Sequence, residues 1–282
     1  MIKEVLLISA KDIARPCIVI ILSISLIMLV LYEKPMYVGA KTESKAEVTY
    51  QVLGYSYQGI AINCCVVTPK DYRQTILITA AVHGFDDGWD GDGQALVEIA
   101  QNVFKAFASE PEALEGTRLM VIPCVNPDGA YYGKSSDGFG RCNAQGIDIN
   151  RDFDYNWQYC AESRYQTGSA PFTTPEAQIL RDIVLQEKPE IIIDLHGWLA
   201  CTYGDAQIAS YFDQSLGTYY KKRLGPPGDE SYMRQFFTGW AGQYGRAVLV
   251  EFPPPPSDRE KNIQEYSEAT ITAIQGICEG NR

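Results

Sequence analysis

The chain has 282 residues, a length that suits one large α/β domain with a substantial buried core. Its hydrophobic and charged fractions, 46% and 21%, are ordinary for a globular protein. The formal net charge is −11, and residues 1–40 hold four basic and three acidic side chains, so the remainder carries −12. This acidic body argues against nucleic acid as a partner, because phosphate binding needs a basic face.

The first feature along the chain is an apolar run at residues 17–31, which Lys3, Lys11 and Arg15 precede. A run of 15 residues is short for a membrane span but fits the apolar region of a secretory signal. Residues 38–40, Val-Gly-Ala, resemble a small-residue cleavage site. Because the stretch before this site is long for a signal, an uncleaved anchor is one alternative, and a buried core helix is another.

These features predict three segments. Residues 1–40 form a signal peptide or an N-terminal membrane anchor, residues 41–46 a short polar linker, and residues 47–282 the folded domain. Whether the segment is a signal peptide or an anchor, we expect its basic flank to stay on the cytoplasmic side and the folded domain to be exported. We therefore expect a secreted protein, or an extracytoplasmic one that touches the membrane only through its N-terminal segment.

The folded domain alternates strand-like and helix-like segments. Residues 48–67 are rich in β-type residues broken at Gly54 and Gly59, which predicts a hairpin. A loop rich in Gly, Ser, Asp and Tyr runs from the strand at 118–125 to about residue 172, and loops of that length are usually functional. The other predicted elements are strands at 75–82, 191–195 and 247–252, and helices at 94–108, from Thr174-Pro175, at 231–244 and at 259–278.

This alternation predicts an α/β fold: a single domain with a mixed, mostly parallel central sheet covered by helices on both faces.

The chain has only two histidines, and each ends an apolar run and precedes a glycine. This pattern places His83 and His196 at the carboxyl edge of the sheet, where α/β proteins bind ligands. Asp86 follows His83 by three residues and offers a carboxylate oxygen. Two imidazoles, one carboxylate and a water make a tetrahedral catalytic zinc site with an open position. The alternative is two ordinary histidines at strand ends.

With these residues placed, the chain resembles the zinc metallocarboxypeptidases, the carboxypeptidase A-like family. The matching stretches occur in family order and cover roughly residues 50–280. They are His83-Gly-Phe-Asp86, Asn126-Pro-Asp-Gly129, Gly146-Ile-Asp-Ile-Asn150-Arg151-Asp-Phe153, Asp194-Leu-His196-Gly and Val248-Leu-Val-Glu251-Phe. The phrase from Arg141 to Arg151 looks most like the bacterial branch that includes murein-peptide amidases.

The resemblance implies that His83, Asp86 and His196 hold one zinc ion, which lowers the pKa of its water. It makes Glu251 the general base and then the proton donor to the leaving amine. It also makes Arg141 the group that polarises the scissile carbonyl. The family usually has glutamate where this chain has Asp86, and Asp87 is an alternative ligand.

The same resemblance implies that Asn150 and Arg151 grip a substrate carboxylate, because a guanidinium fork matches that group. Tyr232 is the candidate for a family tyrosine that covers the substrate, although an ordinary surface tyrosine is the alternative. Asp152 stands where many relatives have asparagine, and Asp194 is a candidate for orienting an imidazole from outside the ligand set.

Seven cysteines lie beyond the apolar run, and an odd number leaves at least one free thiol or an intermolecular bond. Some relatives bridge a loop comparable to residues 142–160, which suggests a Cys142–Cys160 disulfide, with two free thiols as the alternative.

We therefore predict a zinc-dependent metallocarboxypeptidase whose substrate is a peptide with a free carboxylate beside the cleaved bond. One alternative is a murein-peptide amidase that cleaves γ-D-glutamyl bonds of cell-wall peptides, and another is a deacylase of N-acyl amino acids. A catalytically inactive binding domain is the alternative from a different class, but it predicts the loss of a metal ligand or of Glu251.

Overall fold

The computed structural model describes residues 46–84, 91–132, 140–221, 235–255 and 258–280. The predicted signal or anchor segment and residues 41–45 lie outside these ranges. Within them, no helix combines the length and the apolar character needed to cross a membrane.

An eight-stranded sheet in the described parts forms the centre of the fold. Its strands, numbered β1 to β8 in chain order, are Ala46–Tyr55, Ala61–Pro69, Gln74–Ala80, Thr117–Ile122, Ile191–Gly197, Cys201–Gly204, Tyr219–Tyr220 and Arg246–Phe252. Their order in the sheet is β1-β2-β4-β3-β5-β8-β6-β7. The four central strands, β4, β3, β5 and β8, run parallel to one another. Antiparallel pairs join β1 to β2, β2 to β4 and β6 to β8, while β7 runs parallel to β6.

Helices cover both faces of the sheet. In the described ranges they are Asp92–Ser109, Pro127–Tyr132, Pro175–Glu187, Ala206–Leu216, Phe237–Ala241 and Arg259–Gly280, numbered α1 to α6 in chain order. One core cluster joins the sheet to α1, α4 and α6, and a second joins it to α3 and α5. The predicted fold class is therefore confirmed.

Strand β5 shows how burial on both faces positions the functional side chains. Ile191, Ile193 and Leu195 belong to the first core cluster, whereas Ile192 belongs to the second. Because successive strand residues point to opposite faces, Asp194 and His196 lie on the face of Ile192, covered by α3, α5 and the long loop. The apolar run is continuous because both faces need apolar side chains.

Most of the predicted elements are confirmed within a few residues. In its described part, the helix predicted at 231–244 is confined to Phe237–Ala241. The segment β6-α4-β7 was not predicted, although α4 carries clear end signals. Asp205 accepts hydrogen bonds from the first turn of that helix, and Gly217 ends it in the left-handed conformation.

The start of α1 offers a stability test, because Gly93 packs directly against the backbone of the His83-Gly84 turn. A Cβ at position 93 would overlap the Gly84 carbonyl oxygen. A glycine-to-alanine substitution inside a helix normally raises the unfolding free energy by about 1 kcal/mol. Here we expect Gly93→Ala to lower the unfolding free energy by about 2 kcal/mol, the usual scale of overpacking. Urea unfolding with the exposed Gln101→Ala as control measures this, and a stabilised Gly93→Ala variant would contradict the close approach.

Candidate active site

The strand ends of β5 and β8 bring His196 and Glu251 side by side. The two residues are partners in the parallel register, so their side chains share one face of the sheet. They are 3% and 9% exposed. Asp194 lies on the same face, with its Oδ2 2.7 Å from His196 Nε2, and its Oδ1 accepts a hydrogen bond from Thr79 Oγ1 at 2.7 Å. This contact is the one expected of a carboxylate that orients an imidazole.

His83 follows β3 and faces His196, with the ring centroids 5.0 Å apart and the rings nearly perpendicular. Its Nε2 lies 3.2 Å from Asp148 Oδ1. In both histidines Nε2 meets a buried carboxylate, so a metal between the rings would be bound through Nδ1. A carboxylate that holds the distal nitrogen of a ligating imidazole is the usual support of a zinc site, and this donor set fits zinc.

Three predicted site residues lie outside the described ranges: the ligand Asp86, its alternative Asp87, and Tyr232. Among the residues that the structure does describe, no three His, Cys, Asp or Glu side chains form a group able to hold a metal.

Asp148 is fully buried and connects the histidine side of the site to the arginine side. Its Oδ1 accepts from the Asn150 backbone N–H at 3.0 Å and faces His83. Its Oδ2 accepts from Arg141 Nε at 3.0 Å and lies 2.9 Å from Arg141 Nη2. Arg151 Nη1 lies 3.9 Å from the same oxygen.

These contacts favour the ionised form of Asp148. Burial alone would raise the pKa of its carboxyl, but the guanidiniums of Arg141 and Arg151 and the contact with His83 outweigh burial and hold that pKa well below its ordinary value. Asp148 lies within the family motif of residues 146–153 but is not among the predicted site residues. Its position directly before the 3-10 turn Ile149–Arg151, which it caps, was the available signal.

The Asn150 amide has a defined orientation. Its Oδ1 accepts a hydrogen bond from the Phe237 backbone N–H at 2.8 Å. Because a backbone N–H only donates, the amide nitrogen faces the other way and acts as a donor. Asn150 and Arg151 therefore both carry side-chain donors. Asp148 is contacted by the backbone N–H of Asn150 and by the guanidiniums of Arg141 and Arg151.

The Asn126-Pro-Asp-Gly129 turn holds Arg141 in place. Asn126 Nδ2 donates to the backbone oxygens of Arg141 and Cys142, at 3.4 and 3.0 Å. A Cβ on Gly84 would overlap backbone atoms of Gly129 and Gly140. The glycine after His83 and the glycine that ends this turn are needed because three backbone segments meet there.

Asp152 belongs to a separate hydrogen-bond network. It accepts hydrogen bonds from Thr173 Oγ1 at 2.8 Å and from the N–H and Oγ1 of Thr174 at 2.7 and 2.8 Å. Burial raises the pKa of its carboxyl. Asp152 thus supports the N-terminal cap of α3, and its carboxylate is bonded to that cap rather than to the Asp148 cluster.

The predicted Cys142–Cys160 disulfide is wrong for this structure, in which all seven cysteines of the described ranges are free thiols. The buried Cys142 thiol lies 3.6 Å from the Ser163 carbonyl oxygen and 4.0 Å from that of Arg164. The Cys160 backbone pairs instead with Thr167, whose N–H donates to its oxygen at 3.0 Å.

Two facing imidazoles and a neighbouring glutamate thus lie at the carboxyl edge of the sheet, where α/β proteins bind ligands. The sequence model of the zinc carboxypeptidase family, peptidase M14, matches residues 37–275, and the chain belongs to this family.

Bacteriocin BCN5 of Clostridium perfringens is 31% identical over 215 residues, which cover 73% of this chain and 23% of the bacteriocin. Murein peptide amidase A of Escherichia coli K12 is 29% identical over 169 residues, 54% of this chain and 64% of the amidase. The matches thus span less than two thirds of either relative. The crystal structure of carboxypeptidase A from Helicoverpa armigera shares the fold, with a TM-score of 0.67 at 14% identity, over 82% of this chain and 68% of that one.

Two buried aspartates give a matched test of the site. Asp148→Asn removes the charge between His83 and the arginines, so we expect a 10- to 100-fold loss of zinc affinity, the usual scale for such supporting groups. Asp152→Asn should leave zinc affinity unchanged and lower the unfolding free energy by about 1 kcal/mol through the weakened cap. Calorimetric titration of zinc into the metal-free proteins measures the affinities, and urea unfolding measures the free energies. Equal zinc affinities of Asp148→Asn and Asp152→Asn would rule out the role of Asp148.

Proposed function

We propose that this chain is a zinc-dependent metallopeptidase that hydrolyses a peptide bond next to a free carboxylate. One observation carries the proposal: the buried Asp148 carboxylate joins His83, a candidate metal ligand, to Arg141 and Arg151. This geometry holds two guanidiniums beside a candidate metal ligand, an arrangement that supports cleavage directed by a substrate carboxylate.

His83 and His196, together with Asp86, would hold one zinc ion, with each imidazole using Nδ1. When bound, zinc supplies Lewis-acid chemistry that lowers the pKa of water and polarises a carbonyl oxygen. Asp148 and Asp194 lie at the Nε2 atoms of the two rings, which supports the use of Nδ1 for the metal.

Glu251 would take a proton from the attacking water and pass it to the leaving nitrogen. Its place beside His196 in the sheet register supports this role. Arg141 would donate hydrogen bonds to the scissile carbonyl oxygen as negative charge develops there.

Asn150 and Arg151 would bind the substrate carboxylate, with Tyr232 as a further substrate contact. Arg141 and Arg151 both supply guanidinium N–H groups, which only donate hydrogen bonds. A substrate carboxylate complements the guanidinium charge and matches the guanidinium fork.

A murein-peptide amidase is the second candidate function, supported by the similarity to murein peptide amidase A. Cell-wall stem peptides also present carboxylates, so the same arginines would serve. We further propose that the chain acts outside the cytoplasm, secreted or held by residues 1–40, which the basic flank and apolar run of that segment support.

Separate substitutions test the proposed metal ligand and the proposed general base. We expect about one zinc per chain in purified protein, lost in His196→Ala because an imidazole ligand is removed. Glu251→Gln should keep zinc and the melting temperature but lower kcat by about two to four orders of magnitude, the range for acid–base groups. Metal analysis and steady-state kinetics measure these, and near-normal turnover by Glu251→Gln would remove that residue from the mechanism.

The substrate carboxylate is tested with free and C-terminally amidated versions of one peptide, and with α-linked and γ-D-glutamyl-linked pairs. The free forms should be hydrolysed at least about tenfold faster in kcat/KM, and Arg151→Ala should abolish that preference mainly through KM, because it removes a charge-assisted contact. Better hydrolysis of γ-D-glutamyl peptides would select the amidase. Equal hydrolysis of free and amidated peptides would refute the proposed carboxylate recognition.

A further inference from the structure

One aromatic ring lies against both site arginines. The guanidinium carbon of Arg141 is 5.1 Å from the ring centroid of Tyr165, and that of Arg151 is 5.3 Å from the same centroid. Both distances fall within the range of cation–π attraction. Arg151 also lies over a second ring, that of Phe236, at 4.2 Å. Tyr165 is therefore shared by the two cations, whereas Phe236 contacts Arg151.

The backbone around Tyr165 is tied to the site. Tyr165 ends the 3-10 turn Ser163–Tyr165, and its N–H donates to the Glu162 carbonyl at 2.8 Å. The next residue, Gln166, accepts a hydrogen bond from the backbone N–H of Asp148 at 2.8 Å. The ring and the carboxylate that bind the same arginines are thus fixed to each other through one backbone hydrogen bond.

Two guanidiniums that approach one carboxylate oxygen repel each other, and Arg141 occupies the closer position on Asp148 Oδ2. A carboxylate bound to a guanidinium uses N–H donors for which a substrate carboxylate would compete. An aromatic face attracts the cation through its π electrons and does not accept from those donors as a carboxylate does.

We propose that Tyr165 is a positioning residue that sets the spacing of Arg141 and Arg151, so that the scissile carbonyl and the substrate carboxylate are bound together. The inference rests on the proposed function for its kinetic consequence, but the positioning of the arginines is measurable without a substrate. Phe236 fixes Arg151 and serves as the comparison.

The first experiment measures arginine order in the zinc-loaded protein by phenylglyoxal labelling, read for each arginine by mass spectrometry. Arg118 and Arg246 are internal references, and melting curves confirm folding. Tyr165→Leu should label Arg141 and Arg151 about fivefold faster, on the scale of a partly buried cation–π contact. Tyr165→Phe should match the wild type, and Phe236→Leu should affect Arg151 alone. Unchanged labelling in Tyr165→Leu, or a failure of Tyr165→Phe to preserve protection, would overturn the inference.

The second experiment measures kinetics on a free-carboxylate peptide. Tyr165→Leu should raise KM about tenfold and also lower kcat, because both arginines lose their support, while Phe236→Leu should raise KM alone. Tyr165→Phe should restore both constants to within about twofold of the wild type, because the ring face is kept. Equal loss in the Leu and Phe variants would refute the ring-face role. If the wild type hydrolyses no peptide but the labelling pattern holds, the proposed function fails while the positioning role of Tyr165 stands.

Discussion

The candidate site depends on the burial of one carboxylate, that of Asp148. A buried ionised carboxylate is costly unless it is paired and hydrogen-bonded. Here Arg141, Arg151 and His83 surround it, and the backbone N–H of Asn150 binds one of its oxygens. At an effective dielectric constant near 20, one such pair at 4 Å is worth about 4 kcal/mol before desolvation is subtracted. This attraction holds the loop segments around Asp148 together, and the contact with His83 ties them to the end of β3. The groups proposed for metal and substrate binding therefore share one anchor.

The sheet supplies the other half of the arrangement. Parallel register between β5 and β8 places Glu251 beside His196 at the edge where both strands end. The loop groups reach that edge because glycine at 84 and 129 lets three backbone segments meet more closely than side chains would permit. The sheet thus fixes one imidazole and the candidate base, while the loop presents the other imidazole's partner and the arginines.

What the sequence revealed follows from periodicity and local signals. Apolar runs located the central strands, and a His-Gly pair after two of them located the imidazoles. The roles of Asp148 and Tyr165 depend on the closure of the loop between residues 140 and 172, and an aperiodic segment carries no signal of which residues meet across it. The spacing of two cysteines likewise does not show whether their thiols face each other. Here the Cys142 thiol lies near the Ser163 carbonyl oxygen and forms no disulfide. The short β6 and β7 gave too few residues for a strand pattern.

Charge operates on two scales in this molecule. The chain as a whole carries −11, which by itself would repel a substrate that needs a free carboxylate. Exposed charges are screened over about 8 Å at physiological ionic strength, whereas buried groups are screened much less. Arg141, at 5% exposure, and the half-buried Arg151 therefore set the field that a bound ligand meets. A bound carboxylate would therefore respond to these guanidiniums at short range more than to the net charge of the chain.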